Sequence, residues 1–233
     1  THIMKRGDFT QPGLKVAAGV PSILPSFPEG HEQNRLGFAK WLFQKENPLV
    51  SRTAVNRYWL RLMGKGLVLT PEDLGTQADD PTHPALLDWL ATTFVESGWN
   101  VKELQKHIVM SQTYRQSSLL SDEKIAKDSN NIYYSYMKRR RLSAESIRDN
   151  MLRVSGLLNK KMYGPPAYPP QPKNHWVAKG RFNVKYIQSK PEDRYRRSVY
   201  TVWKRSTPYV SYVNFDAPDR SSCVIERPSS NTP

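Results

Sequence analysis

Trp99-Asn100-Val101-Lys102-Glu103-Leu104 marks a helix start. Asn100 has a side-chain oxygen suited to the orphan amides of a first turn, and Glu103, three residues on, can reach back to complete a capping box. Trp99 and Leu104 occupy the two positions of a hydrophobic staple. Leu104, Ile108 and Ser111 then fall on one face, which predicts a helix ending near Tyr114. Just upstream, Gly98 closes an earlier helix. Thr82-His83-Pro84 opens that one with a cap hydroxyl and a proline at the first helical position, and Leu86, Leu87, Leu90 and Phe94 give it an apolar face.

The same reading extends in both directions. Leu36, Ala39, Trp41, Leu42 and Phe43 fit an amphipathic helix that should end before Pro48. Val55, Trp59, Leu60 and Leu62 fit a second, from about Ser51 to Met63, with Gly64 beyond its end. Thr70-Pro71-Glu72-Asp73 predicts a short helical turn before Gly75, and residues 116–131 read as a polar loop. Ser143 caps a last long helix along which Ile147, Met151, Val154 and Leu158 repeat at helical spacing. Gly164-Pro165-Pro166-Ala167-Tyr168-Pro169-Pro170-Gln171-Pro172 forbids helix. Ser198-Val199-Tyr200-Thr201-Val202-Trp203, rich in β-branched and aromatic residues, predicts a short strand. The expected fold is mainly α. An extended Pro-rich strap spans 1–31, an irregular helical domain 32–163, and a basic, Pro-rich region of loops and short strands 164–233.

Composition narrows the class. Aromatic residues make up 11% of the 233. That is enough large side chains to build a core despite the high polarity, so the chain folds rather than staying disordered. No apolar run reaches the length of a membrane span, and the first residues lack the stretch of a secretory signal. A single cysteine, Cys223, excludes an internal disulfide and a cysteine metal cage, and it does not tell cytosol from periplasm. It could be a reactive thiol, but burial as a small apolar side chain is the commoner fate and the one expected here.

The formal charge is +14, and two blocks hold all of it. Residues 138–161 carry eight Lys/Arg against Glu145 and Asp149, and residues 173–205 carry ten against Glu192 and Asp193. An anionic partner and a solvated face are both open readings. If the blocks converge in space, they make a positive face. Within them Arg139, Arg140, Arg141, Arg196 and Arg197 are the candidate anion or packing contacts, because guanidinium forks suit phosphate, sulfate and carboxylate. Tyr133, Tyr134 and Tyr136 beside the triplet give a basic-aromatic mixture, but no recognition-helix, RRM or KH pattern supports nucleic acid.

Motifs for chemistry are sparse. Asp73, Asp79, Asp80, His83 and Asp88 crowd together without HExxH or EF-hand spacing, and helix starts account for several of them. No stoichiometric metal is expected. No nucleophile elbow, Walker loop or dinucleotide fingerprint occurs, so no catalytic residue is assigned. Ser111 and Ser143 have His107 and Glu145 nearby, but adjacency in sequence does not make a triad.

Several motifs in order resemble one family. Asn47-Pro48-Leu49-Val50-Ser51-Arg52-Thr53-Ala54-Val55-Asn56-Arg57-Tyr58-Trp59 is similar to its NPL…R…VNR-aromatic-W segment. Gly64-Lys65-Gly66-Leu67-Val68 and Thr70-Pro71-Glu72-Asp73-Leu74-Gly75 resemble the stretch that follows, with Leu74 in place of the usual phenylalanine. Thr82-His83-Pro84-Ala85-Leu86-Leu87-Asp88-Trp89-Leu90-Ala91, Ser111–Ser118 and Arg140–Asp149 match the next signatures, and Phe215-Asp216-Ala217-Pro218 and Asn231-Thr232-Pro233 the last. The family is the planctomycete-specific domain of unknown function at the C-terminal end of large cytochrome-c-like proteins.

That resemblance implies a structural or interaction domain of an exported multidomain protein, extracytoplasmic or periplasmic, whose partners are the other domains of the parent. It implies a family pattern continuing past Pro233. It implies no cofactor in this chain, which has no C-x-x-C-H, and places any haem c in the parent's other domains. Two alternatives stay open: an enzyme or enzyme subunit acting on anionic polysaccharide, and a polyanion-binding module for an anionic glycan.

Overall fold

The computed structural model describes residues 1–172, 176, 186–218 and 220–227. Lys173, Lys179, Arg181 and Lys185 of the second basic block, and Asn231-Thr232-Pro233, lie outside the described residues. The chain is helix-rich and divides into two compact units, Thr1–Arg139 and Arg140–Pro233.

The first unit begins with an antiparallel hairpin, β1 (His2–Met4) and β2 (Pro12–Lys15), in the register His2 to Lys15 and Met4 to Pro12. Proline at a strand end is compatible with a two-stranded ladder that has free edges. The strap then lies against α1 (Arg35–Leu42): Trp41 Nε1 donates to the Pro25 carbonyl at 2.7 Å. Gly37 permits this approach. A Cβ there would sit 2.1 Å from the Glu32 carbonyl oxygen and 2.7 Å from the Phe27 ring. Gly37→Ala is therefore expected to lift the strap from α1, seen as faster limited proteolysis between residues 18 and 32. Unchanged cleavage would show that the backbone yields at no cost.

The core of this unit joins α2 (Pro48–Met63), α3 (Pro84–Glu96) and α4 (Val101–Met110). Val55, Trp59 and Met63 meet Leu87, Leu90, Ala91 and Phe94, with Leu104, Ile108, Leu67, Val68 and Tyr134 closing the cluster. Each fully buried side chain of this size contributes about 1.5–3 kcal/mol. α1 ends before Pro48, as expected, and α2 starts at Pro48 rather than near Ser51, because Asn47 caps the Leu49 amide and a proline at the first helical position loses no hydrogen bond. Gly64 ends the helix at φ 80°, a conformation costly for any residue with a Cβ.

The Asn100 start forms as expected in one half. Its side chain accepts from the Glu103 amide at 3.2 Å, whereas its own amide turns to Ser97 Oγ, so the Glu103 carboxylate meets the Asn100 side chain instead. Trp99 takes φ 62° and packs edge-on to Phe94 and Phe43.

Several expectations are corrected. The helix does not run on to Tyr114. Ser111 at ψ 151° closes α4 and caps a separate turn, α5 (Gln112–Arg115), through its hydroxyl. The 116–131 stretch contains α6 (Asp122–Asp128), started by Ser121 and two early acids, a polar helix whose weak apolar pattern concealed it. Thr70 to Asp73 is a turn without helix, since the Thr70 hydroxyl donates to the Asp73 carbonyl rather than accepting from an amide. The Thr82 hydroxyl likewise donates to Leu67 and caps nothing.

The second unit contains α7 (Ala144–Val154), α8 (Pro191–Arg194), a 3-10 turn at Ser198–Tyr200 and α9 (Val210–Asn214). Ser143 caps α7 by accepting from the Ser146 amide. Gly156 at φ 76° stops the helix before Leu158. The strand expected over Ser198–Trp203 does not form: the chain coils into the 3-10 turn, leaving single parallel bridges, Ala167 to Thr201 and Asn159 to Arg196. Among the described residues after 164 there is no strand. The proline run offers few amides for a ladder, so one contact is all that pairs.

Candidate arginine-braced site

Within the second unit, described residues of the two basic blocks meet, and arginine makes the joint. Arg148 lies on the inner face of α7, 8% exposed, on the same face as the small Ala144 one turn earlier. Its guanidinium donates to the Arg196 carbonyl at 2.8 Å, the Arg194 carbonyl at 3.1 Å and Ser198 Oγ at 3.3 Å. Arg196, 1% exposed, reaches in the opposite direction. It donates to the carbonyls of Pro165 and Tyr163 and stacks 3.9 Å above the Tyr200 ring. Each block's buried arginine thus holds backbone oxygens of a segment remote in sequence. A guanidinium suits this work because its planar fork carries five donors and stays charged.

Carboxylates complete the arrangement. Asp149 accepts from the Ser198 amide at 2.7 Å and pairs with Arg197 at 3.7 Å. Lys161 pairs with Asp193 at 3.0 Å. Arg141 pairs with Asp216 at 2.8 Å, not with Glu145 or Asp149 of the adjoining helix. Arg139 lies in the first unit, its Nε 3.5 Å from Ser118 Oγ, and Arg140 is exposed. The five arginines singled out from sequence therefore do not assemble into one cluster. Arg196 and Arg197 belong to the braced core, and Arg148, which motif reasoning passed over, is its centre. The available signal was an arginine four residues after an alanine, inside a helix that reads as amphipathic.

Glu145 pairs with Arg227. Burial pushes its carboxyl up, but the Arg227 hydrogen bond and charge, with help from its own amide and Ser143, outweigh this and hold it below the ordinary 4.5. A lowered folded-state value means that this pair's contribution is complete above pH 4.5 and is lost as pH falls through the folded value. The urea midpoints of wild type and Glu145→Gln should accordingly differ at neutral pH and converge in acid. A constant gap would refute the pairing. Tyr212 donates to the Ser198 carbonyl at 3.1 Å, and burial raises its phenol, so its contribution stands below pH 10 and fades as pH rises beyond it.

The chemistry of the cluster is recognition of oxygen. The Ser198 hydroxyl accepts from the Arg148 guanidinium, which takes no proton and so cannot activate it as a nucleophile. Ser111 Oγ donates to Ile108 in its capping role, while the ring of His107 faces Trp89 and Glu103. The acidic crowd near His83 disperses: Asp73 accepts from the Gly75 amide, Asp88 pairs with Arg52, and His83 bonds Thr82 beside the Tyr134 ring. Among the described residues no three metal-ligating side chains gather, and no helix is long and apolar enough to cross a membrane. Cys223 is exposed, contrary to the burial expected of it, on a segment without regular structure. One cysteine cannot make the paired attachment of a c-type haem.

The apolar repeat of α7 also departs from expectation. Met151 is 58% exposed and Val154 82%, while Ala144 and Arg148 face inward. At 3.6 residues per turn the centre of the Ile147–Met151–Val154 stripe lies about 75° from the centre of the buried Ala144–Arg148 face. Arg148 sets that rotation.

No curated protein matches the chain, and no solved structure does. A family model described as a protein of unknown function, DUF1553, matches residues 34–233, so it spans the core of the first unit and all of the braced second one. The chain belongs to the DUF1553 family of proteins of unknown function.

Proposed function

We propose that this chain is a structural and docking domain of an exported multidomain protein, in which it packs against other domains of the parent. The observation that supports this best is how its arginines are used. Arg148 and Arg196 are spent on internal carbonyls, and Arg141 and Arg197 on carboxylates. These four arginines thereby stiffen a platform instead of forming an open anion site. The resemblance of the ordered motifs to the planctomycete domain adds the exported, extracytoplasmic setting. It also adds a cytochrome-c-like parent, whose haem c would be carried outside this chain.

A polyanion-binding module or an enzyme acting on anionic polysaccharide would need those guanidinium groups facing solvent. Two measurements separate the readings. The regions flanking this chain in its reading frame, expressed separately, should bind it in calorimetry. Heparin and a sulfated glycan should bind only weakly and lose binding on modest added salt, since exposed charge alone is screened. Tight, salt-resistant glycan binding with no binding to the flanking regions would overturn the docking role.

A further inference from the structure

The strap leaves a recess where it lies against α1. Val20 and Phe27 line it from the strap and Phe38 from the helix, around a cavity of about 390 Å³. That volume falls in the range of small-molecule sites, about 300–1,000 Å³. Its walls are set before any ligand arrives. Trp41, 3% exposed, holds the Pro25 carbonyl through its indole, and the Phe27 ring lies over the buried Gly37. Phe38 stacks on Trp41 with ring centroids 5.4 Å apart, yet stays 48% exposed. An aromatic face is held in place at the recess and left open.

The charge at the recess has one sign. Among the described residues that line it, Arg35 carries the only charge. Neither its guanidinium nor the Gln33 side chain, which also lines the recess, has a hydrogen bond or ion pair among the described residues. Glu32, the nearest acid in sequence, accepts instead from the Asn34 side chain at 2.8 Å. Asn34 and Arg35 are the cap and first residue of α1, so the positive end of that helix adds to the same field.

We propose that this recess binds a small aromatic carboxylate, its ring against Phe27 and Phe38 and its carboxylate on Arg35 and Gln33. A guanidinium fork and an amide N–H match the two oxygens of a carboxylate. A cation would meet the Arg35 charge, and a neutral ring would leave that charge unused. The site lies in the first unit and is independent of the docking role.

The experiment titrates the whole chain in calorimetry with naphthoate and with its neutral isostere naphthamide, using wild type, Arg35→Gln and Phe38→Ser. Both positions are exposed, so circular dichroism and the melting temperature should stay close to wild type. Wild type is expected to bind naphthoate saturably and about fivefold more tightly than naphthamide, the gain of a partly solvated ion contact. Arg35→Gln should erase that preference and leave naphthamide binding as it was, whereas Phe38→Ser should weaken both. Bound naphthoate should also slow limited proteolysis between residues 18 and 32, because it bridges strap and helix. No saturable binding, a preference that survives Arg35→Gln, or undiminished binding by Phe38→Ser would each overturn the inference. So would strap cleavage that saturating naphthoate leaves unchanged, which would place the bound probe elsewhere. Phosphatidylglycerol vesicles that sediment the chain, or a dimer abolished by Phe38→Ser, would give the recess another occupant and refute it.

Discussion

Replacing Arg196 with methionine is expected to lower the stability of the Arg140–Pro233 unit by about 2–5 kcal/mol. The side chain is almost wholly buried, and its fork holds the Pro165 and Tyr163 carbonyls while its plane covers Tyr200. Methionine fills the volume but donates nothing. The Pro165 and Tyr163 carbonyls then lose charge-assisted hydrogen bonds worth about 1.5–3 kcal/mol each, which water at these exposed residues replaces only in part. Loss of the stacked cation adds to this. Arg196→Lys should rescue little, because a single ammonium cannot span both carbonyls in the geometry of a planar fork. Hydrogen exchange by mass spectrometry is the suitable probe because it resolves regions. Protection should fall over residues 159–168 and 194–203, while α2 to α4 of the other unit keep theirs. Undiminished protection there would mean that the brace is incidental.

What could be read from sequence was local and periodic. The core helices were legible because caps and apolar spacing agree, as at Asn100 with Leu104 and Ile108, where each level of the pattern indicates the same element. Several misses come from hydrogen bonds that a side chain made elsewhere than the local pattern suggests. The Thr82 hydroxyl went to Leu67, leaving His83 as the cap residue. The start of α2 lies three residues before the expected Ser51, because it depends on the Asn47 side chain capping ahead of Pro48. Ser198–Trp203 has strand-forming residues but faces a proline run with few amides to offer, so propensity lost to the absence of a partner.

The candidate site was legible only in part, for a related reason. Arg196 and Arg197 stood out as a basic pair, but the carbonyls they serve have no signature in sequence, since every residue carries one. The orientation of α7 could not be read either. Its apolar spacing predicts an inward stripe, and only the three-dimensional demand of Arg148 for the Arg194 and Arg196 carbonyls turns it outward. Charge counting found the blocks and not their use.

The largest effect in the first unit should come from Asn56→Leu, with a loss of about 2–4 kcal/mol. Asn56 is 1% exposed in the middle of α2, where an apolar residue would be the simpler choice. Its side chain replaces a strand partner for the loop beyond Gly64. Oδ1 accepts from the Val68 amide at 2.9 Å, and Nδ2 donates to the Val68 carbonyl at 3.1 Å. Leucine of similar size gains apolar burial but leaves both Val68 groups unpaired, at about 1–3 kcal/mol each, and the second cost exceeds the first. Gly66 belongs to the same lock. A Cβ there would lie 2.4 Å from the Val68 carbonyl oxygen and 2.9 Å from Asn56 Oδ1, so Gly66→Ala must push the loop off the asparagine. Since both substitutions break one pair of hydrogen bonds, the double variant should lose less than the sum of the singles by at least about 0.5 kcal/mol. Urea unfolding followed by tryptophan fluorescence measures this, because Trp59 lies in the same core. Strict additivity would show that Asn56 and Gly66 act independently and that the lock does not exist.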